Sequence, residues 1–211
     1  AMELSFFGAK VIYFPTLQPL IEKNIPAYIK NTFDQNAIGT CISNTGKSNE
    51  ENTVKGISHI ENISLINFEG SGMVGVPGFS KRFFGALSQK GVNVIMITQA
   101  SSEFSICIAV KESDAKNAKN LIDKEFEFEI SQKKINECQV ESSLSNIAIV
   151  GDNMKSKKGV SGKLFSTLGN NNVNIRAIAQ GASERNISII IDEKDNTKAL
   201  NSLHEAFFEN N

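Results

Sequence analysis

Histidine and cysteine are scarce in this sequence, which has two histidines and three cysteines among its 211 residues. With only His59 and His204, a histidine-based catalytic or metal site is not expected, and we interpret both as surface or capping residues. Cys41, Cys107 and Cys138 lack the short spacing of a zinc site or a redox pair. An odd number of cysteines without a secretory leader is typical of reduced thiols and of a cytoplasmic protein.

The sequence also lacks an excess of either charge and any long apolar run. Its 22 basic and 23 acidic residues give a formal net charge of -1, and no stretch forms a basic stripe. Nucleic acid is therefore not an expected partner. No apolar run reaches the roughly 18 residues that a membrane span needs, so a membrane is not expected as a partner either.

What the sequence does contain is an internal repeat. Residues 69–110 align without a gap on residues 150–191, and 14 of the 42 positions are identical. The residues of the first copy that recur 81 positions later are Gly70, Met73, Gly78, Ser80, Phe84, Leu87, Val92, Asn93, Ile97, Gln99, Ser102, Glu103, Ile106 and Ile108. A repeat of this length indicates two copies of one structural module.

Each copy has the pattern of a small α+β unit. In the first copy, alternating apolar residues predict strands at 64–68, 92–98 and 104–110, and a further strand at 126–132, "FEFEISQ". Helical spacing predicts helices at 79–89 and 114–125. The resulting order, βαββαβ, is that of the ferredoxin-like fold.

The second copy follows the same order but stops before a fourth strand. Its predicted strands are 147–150, 173–179 and 186–191, and its helices are 162–168 and 197–207. A spare strand, "TVKGISHI" at 53–60, stands ahead of the first copy. We predict that this strand completes the second sheet, so that the first module is inserted in the second. The alternative is a linker strand without a sheet partner.

The loop "EGSGMVG" of the first copy contains the spacing G-x-G-x-x-G at Gly70, Gly72 and Gly75. This spacing also occurs in dinucleotide-binding folds. That interpretation is disfavoured because no acidic residue ends the next strand, the strands are antiparallel, and the second copy loses two of the glycines. The free N–H groups at the start of the following helix are instead suited to a carboxylate.

A free amino acid would need oxygen acceptors for its ammonium group as well. Asn93 and Gln99, at the two ends of one predicted strand, could supply them, and uncharged amides suit a neutral polar side chain better than lysine. The alternative is that Asn93 only turns the chain and that Gln99 is an exposed strand end.

The paired segments "ITQASSE" and "IAQGASE" resemble the tandem ACT modules of aspartate kinases, which are amino-acid-sensing regulatory domains. The resemblance is greatest to the threonine-sensitive type found in bifunctional aspartokinase–homoserine dehydrogenases. The front segment, "MELSFFGAKVIYFPTLQPLIEKNIPAYIKNT", is similar to the last part of an aspartokinase catalytic domain, so the resemblance covers nearly the whole chain. The family's His-Pro after "GAKV" is replaced here by "IYFP".

The resemblance implies a regulatory fragment that binds an amino-acid feedback inhibitor, with threonine the favoured effector, between modules of a homodimer. In the first module it implies binding by Met73, Gly78, Phe79, Asn93, Ile97, Thr98 and Gln99. In the second module it implies binding by Met154, Gly159, Asn174 and Gln180. It places Lys10 at the remnant of the ATP site.

The same resemblance implies that the parent protein phosphorylates L-aspartate with ATP and Mg²⁺, and uses NAD(P) if a dehydrogenase is fused. The fragment alone is expected to be inactive and to need no cofactor or metal of its own. The expected organisation is a kinase remnant at 1–45, a linker and strand at 46–62, and ACT modules at 63–142 and 143–211. A lysine-sensitive aspartokinase and a stand-alone amino-acid-sensing ACT protein are the alternatives.

Overall fold

One antiparallel sheet of six strands organises the described part of the chain, and a separate pair of short strands precedes it. A computed structural model describes residues 2–8, 12–43, 53–99, 104–152, 154, 157–181 and 185–209. The strands are β1 (Ala27–Ile29), β2 (Thr40–Ile42), β3 (Val54–Glu69), β4 (Val94–Thr98), β5 (Ser105–Lys111), β6 (Gln139–Gly151), β7 (Ile175–Gln180) and β8 (Asn186–Asp192). The helices are α1 (Met2–Phe6), α2 (Phe14–Glu22), α3 (Phe79–Ser88), α4 (Glu112–Glu125), α5 (Glu127–Ser131), α6 (Val160–Asn170) and α7 (Asn196–His204), and a π-helical turn (Glu205–Glu209) continues α7.

The two longest strands belong to both modules. In the sheet order β4-β5-β3-β6-β8-β7, the second half of β3 pairs with β5 and with the start of β6. The first half of β3, residues 54–60, pairs with the end of β6, residues 146–151. Each long strand is therefore the first strand of one βαββαβ unit and the last strand of the other. This confirms the predicted fold class, with the first module inserted in the second.

The repeat extends to details of the backbone. Asn62 and Ser143, which lie 81 positions apart, both have a left-handed backbone, with φ of 57° and 59°. The register of the β3–β6 pair shifts near this point, so both long strands bend where one module passes into the other. Matching bulges interrupt the edge strands β4 and β7, at 94–96 and 175–177.

Helices cover one side of the sheet, and each module has its own core there. The first core contains Phe68, Phe83 and Ile108, packed against α3 and α4. The second contains Ile149 and Leu164, packed against α6 and α7. A third cluster lies on the helix-free side of the sheet and joins the modules; its buried members are Ile63, Leu65, Met96, Ala109, Leu144 and Ile190. The sheet curls around this cluster until its edge strands β4 and β7 contact each other.

The first described residues pack on the helix-free side of the second module. Phe7 is buried against Ala148 and Val150 of β6. The Ser58 hydroxyl donates a 2.6 Å hydrogen bond to the backbone carbonyl of Phe7, and Asn186 donates one of 2.6 Å to the carboxylate of Glu3. The front segment is thus attached to β3, β6 and β8 and has a defined position relative to the second module.

The prediction of a strand at 126–132 is wrong, because these residues continue α4 into the short helix α5. The backbone N–H of Phe126 donates to Ile122, and that of Ile130 donates to Phe126, each over four residues. In a strand, Phe126 and Phe128 would face the same side, but Phe126 is fully buried and Phe128 is exposed. The apolar contacts therefore follow the spacing of a helix. The fourth strand of the first module is instead the beginning of β6, where residues 139–143 are all exposed and carry no alternating pattern.

Candidate functional site

A cleft of about 470 Å³ lies on the helix side of the first module, where the glycine-rich loop meets α3 and the end of β4. The residues that line it are Met73, Gly75, Val76, Pro77, Gly78, Phe79, Ser80, Gln99 and Ile106. Four of the seven residues predicted for this module therefore meet in one place: Met73, Gly78, Phe79 and Gln99. The size of the cleft is sufficient for a small organic molecule.

Backbone N–H groups form one side of this cleft. Gly78 precedes α3 in a left-handed conformation, with φ of 86°, and provides no side-chain cap for the helix. A Cβ atom at this position would meet nothing within 4 Å, so the backbone angle alone favours glycine here. The first-turn N–H groups, including those of the lining residues Phe79 and Ser80, remain available for a carboxylate and carry the positive end of the helix dipole.

An amide side chain forms the opposite side. Side chains alternate along β4, and Ile97 lies opposite Ile108 on the helix side of the sheet. The same alternation returns Gln99 to that side, where it lines the cleft together with Ile106. Its amide presents both an acceptor and two donors to the cleft. A zwitterion is complementary to this combination of helix N–H groups and a neutral amide.

The other three predicted residues of the first module do not line the cleft. Thr98 points to the helix-free side and lines a different cavity of about 680 Å³, together with Cys107. Ile97 is on the correct side but is half exposed at the sheet edge, and Asn93 is exposed in the turn before β4. The reason is geometric, because consecutive side chains of a strand cannot all face one side.

The glycine spacing has a packing explanation. A Cβ on Gly70 would lie 2.5 Å from Ile135 Cα, and one on Gly72 would lie 2.8 Å from Lys134 Cβ. The N–H groups of both glycines are already used, because they donate to the carbonyls of Phe104 and Lys134. Amides engaged in this way are not available to a pyrophosphate, which agrees with the sequence argument against a dinucleotide site.

The second module repeats several of these features. Gly159 precedes α6 in a left-handed conformation with φ of 92°, and Met154 is buried in the second core. Gln180 ends β7 opposite Ile187, which is the position of Gln99 in the first module. Gln180 and Asn174 are exposed. The loop between Met154 and Gly159 is described only from residue 157, and Lys10, predicted at the nucleotide site, also lies outside the described residues.

Cysteine chemistry is not a feature of the cleft. Burial raises the pKa of the Cys107 thiol to about 11, and Glu141 adds to the effect. Burial likewise raises the pKa of Cys138, with a further contribution from Asp123. Both thiols stay protonated and unreactive near neutral pH. In the ranges that the structure describes, no cluster of three or more metal-ligating side chains occurs, and no helix is long and apolar enough to cross a membrane.

Both modules match the ACT domain family, over residues 66–126 and 147–207, and the chain therefore belongs to that family. The two matched stretches start 81 positions apart, as the internal repeat does.

Within this family, the proteins that the chain matches are aspartate kinases, some of them fused to a homoserine dehydrogenase. The chain is 43% identical over 210 residues to a bifunctional aspartokinase/homoserine dehydrogenase of Haemophilus influenzae, an alignment that covers 100% of this chain and 26% of that protein. The crystal structure of Clostridium acetobutylicum aspartate kinase has a TM-score of 0.84 at 29% identity, covering 97% of this chain and 46% of that one. The ligand-free regulatory subunit of aspartate kinase from Thermus thermophilus has a TM-score of 0.60 at 26% identity, covering 74% of this chain and 99% of that one. The chain spans about a quarter of its bifunctional relatives and corresponds to their tandem ACT region.

Proposed function

We propose that this chain is the regulatory part of an aspartate kinase fused to a homoserine dehydrogenase, and that its first module binds threonine as a feedback inhibitor. The observation that carries the proposal is the meeting of Gln99 with the uncapped start of α3 in one cleft. The homology to bifunctional enzymes supports the parent activity. In that parent, ATP and Mg²⁺ would serve the kinase and NAD(P) the dehydrogenase.

The chemistry of the cleft favours a small neutral amino acid. The helix N–H groups would receive the carboxylate, and the Gln99 amide would bind the ammonium group or the hydroxyl of threonine. The apolar residues Met73, Val76 and Ile106 leave room for a methyl group. Among the residues that the structure describes, no acidic side chain lines this cleft, so the second positive charge of lysine would lack a partner in this part of the site.

Regulation requires that the bound amino acid stabilises one arrangement of the parent more than another. Two features of the chain support such a link. The front segment, which we assign to the kinase, is attached to β3, β6 and β8, and β3 and β6 run through both modules. A change in the first module therefore has a continuous strand connection to the surface that carries the front segment.

We also propose that the chain forms a homodimer. The strands β4 and β7 contact each other within the chain but are the ends of the hydrogen-bonded order of the sheet, and they expose Ile97 and Ile178. Unpaired strand edges with exposed apolar side chains favour strand pairing between copies. Sedimentation velocity with and without threonine tests this proposal, and a monomer under both conditions would contradict it.

Calorimetric titration of the 211-residue chain with the twenty amino acids is the direct test of the effector. Threonine should bind, and Gln99→Ala should weaken its binding about 10- to 100-fold, since a hydrogen bond to a charged group contributes about 1.5–3 kcal/mol. Gln89→Ala, at an exposed glutamine after α3, is the matched control and should leave the affinity unchanged.

Two results would contradict this assignment. If Gln99→Ala binds threonine as tightly as the unaltered chain does, the binding site has been assigned to the wrong place. If lysine binds and threonine does not, the chain is of the lysine-sensitive type.

A further inference from the structure

Behind the cleft, Arg82 of α3 forms a set of contacts with the end of α4 and with α5. Its Nε donates a 2.9 Å hydrogen bond to the carboxylate of Glu125, and Nη2 donates one of 2.9 Å to the Glu125 backbone carbonyl. Nη1 donates to Oε1 of Glu129, and Nη2 approaches its other oxygen. We call Arg82, Glu125 and Glu129 the clamp. Its two carboxylates stand four residues apart and meet one guanidinium because this segment is helical.

Aromatic rings connect the clamp to the cleft. The guanidinium carbon of Arg82 lies 4.3 Å from the ring centre of Phe126 and 5.8 Å from that of Phe79. The rings of Phe79 and Phe126 are stacked, with their centres 4.6 Å apart and their planes 14° apart. Phe79 is a lining residue of the cleft, and it is also the first residue of α3, whose N–H groups face the cleft. Arg82 thus packs on the Phe126 ring, which is stacked on a Phe79 ring that lines the cleft.

The clamp has the physical properties of a rigid support. The carboxylates raise the pKa of Arg82, and the hydrogen bonds from Arg82 hold the pKa of Glu129 below its ordinary value, so this pair is charged near neutral pH. A guanidinium bound by two carboxylates and packed on a ring has little rotational freedom. Fixing Arg82 consequently restricts Phe126, and through it the position of Phe79.

The second module keeps the ring but not the clamp. Phe207 is the counterpart of Phe126, and the ammonium group of Lys163, the counterpart of Arg82, lies 5.3 Å from its ring centre. The position of Phe79 is taken by Val160, and that of Glu125 by Ala206. Lysine cannot form the paired hydrogen bonds of a guanidinium, and neither carboxylate is kept, because the counterpart of Glu129 is Asn210. The starts of α3 and α6 are therefore supported differently, although both follow a left-handed glycine.

We propose that Arg82 is a positioning residue of the first cleft, which fixes the Phe79 wall through Phe126 and thereby sets the size of amino acid that this module accepts. This inference rests on the proposed function and adds to it a residue that does not touch the ligand. Loss of the clamp frees the wall, so binding of threonine weakens while binding of larger neutral amino acids weakens less or improves. A residue that only stabilised the fold would change all affinities in the same proportion.

The test is calorimetric titration of the full 211-residue chain with threonine and with methionine. Arg82→Gln should weaken threonine binding about tenfold, a typical size for one coupling interaction, and should lower the threonine-to-methionine affinity ratio. Lys163→Gln, the matched change in the second module, should leave the tightest threonine site and its selectivity unchanged. An unchanged affinity ratio in Arg82→Gln would overturn the inference.

A second pair of variants keeps the test decisive if Arg82→Gln folds poorly. Arg82→Lys retains the charge above Phe126 and one carboxylate contact, so it should recover part of the selectivity. Glu129→Gln removes one side of the clamp, and its effect should be small when it is added to Arg82→Gln, because the two residues act together. Full additivity of the two changes would also overturn the inference.

The same titrations distinguish a failure of the proposed function from a failure of the role proposed for Arg82. If no amino acid binds the unaltered chain, the proposed function fails before any variant is made. If the unaltered chain binds threonine and Arg82→Gln binds it with the same selectivity, only the role of Arg82 is refuted.

Discussion

The two modules share a backbone but fill it with different side chains. Phenylalanine rings form the centre of the first core, and three of them, Phe68, Phe79 and Phe83, have the aliphatic counterparts Ile149, Val160 and Leu164 in the second. Only the fourth ring, Phe126, is retained, as Phe207. The left-handed glycines, the edge bulges and the strand bends are nevertheless equivalent. The duplicated fold therefore depends on backbone geometry and apolar volume, and not on one particular set of core residues.

The loops that open the two helices also differ. The first loop, "SGMVGVPG", is uncharged, whereas its counterpart, "DNMKSKKG", contains three lysines and one aspartate. A neutral loop beside helix N–H groups favours a small zwitterion, and a basic loop presents a stronger positive field. This difference in charge is the reason why the proposed threonine site is assigned to the first module.

The largest expected effect is the loss of stability when the phenylalanine that both cores retain, Phe126 or Phe207, is replaced by alanine. Phe126→Ala should lower the free energy of unfolding by about 3–5 kcal/mol, because this fully buried ring contacts Phe68, Phe79 and Arg82. Phe207→Ala should cost less, roughly 2–3 kcal/mol, because Phe207 retains some exposure and the other buried members of its core are not aromatic.

Urea denaturation followed by circular dichroism measures both losses. A single transition is expected in each case, because β3 and β6 belong to both modules. Equal losses for the two variants would show that the aromatic cluster gives the first core no additional stability. The difference in side chains between the two cores would then have no effect on the free energy of unfolding.

An intermediate effect is expected from the two left-handed glycines. Gly78→Ala and Gly159→Ala should each cost about 1–2 kcal/mol, because alanine is strained at a positive φ even where its Cβ has open space. Thermal unfolding should show nearly the same loss for both variants. Calorimetric titration with threonine should then distinguish the two variants, since Gly78 lines the cleft of the first module and Gly159 does not. A large difference in stability between the two would mean that the helix starts are not equivalent.

The repeat explains why much of this fold could be predicted from the sequence. Side-chain periodicity identified the strands and helices of each copy, and the missing fourth strand of the second copy led to the pairing of 53–60 with β6. The strand at 126–132 was predicted wrongly because "FEFE" alternates like a strand. The helical spacing of four residues in fact places Glu125 and Glu129 together on Arg82, which a local pattern does not show, since Arg82 lies more than 40 residues away.

The structure brings only some of the residues predicted for the site into one cleft, and it separates neighbours on the same strand. Gln99 and the start of α3 line the cleft, but Thr98 faces the opposite side of the sheet. Resemblance identifies a segment, whereas strand alternation decides which of its side chains face the ligand. Ile106 was not predicted to line the cleft, although its position opposite the end of β4 follows from the hairpin register.

The smallest expected effect concerns the pH dependence of the clamp. Hydrogen bonds from Arg82 are the main cause of the lowered pKa of Glu129, and Lys134 contributes to it. A carboxylate with a lowered pKa stabilises the fold fully above its unfolded-state pKa of about 4.3, and this stabilisation is lost as the pH falls through the folded-state value. Because the Arg82 side chain is 40% exposed, solvent screening limits the contribution to about 1 kcal/mol or less.

Glu129→Gln should therefore be less stable than the unaltered chain at pH 6, and the gap should narrow as the pH falls from about 5 toward 3. Urea denaturation at several pH values measures the gap, with Glu127→Gln, an exposed neighbour in α5, as the control. A gap that stays constant over this range would mean that Glu129 contributes through packing and not through its charge. The clamp would then differ from the Lys163–Phe207 contact of the second module in shape alone, and the electrostatic part of the contrast between the modules would be refuted.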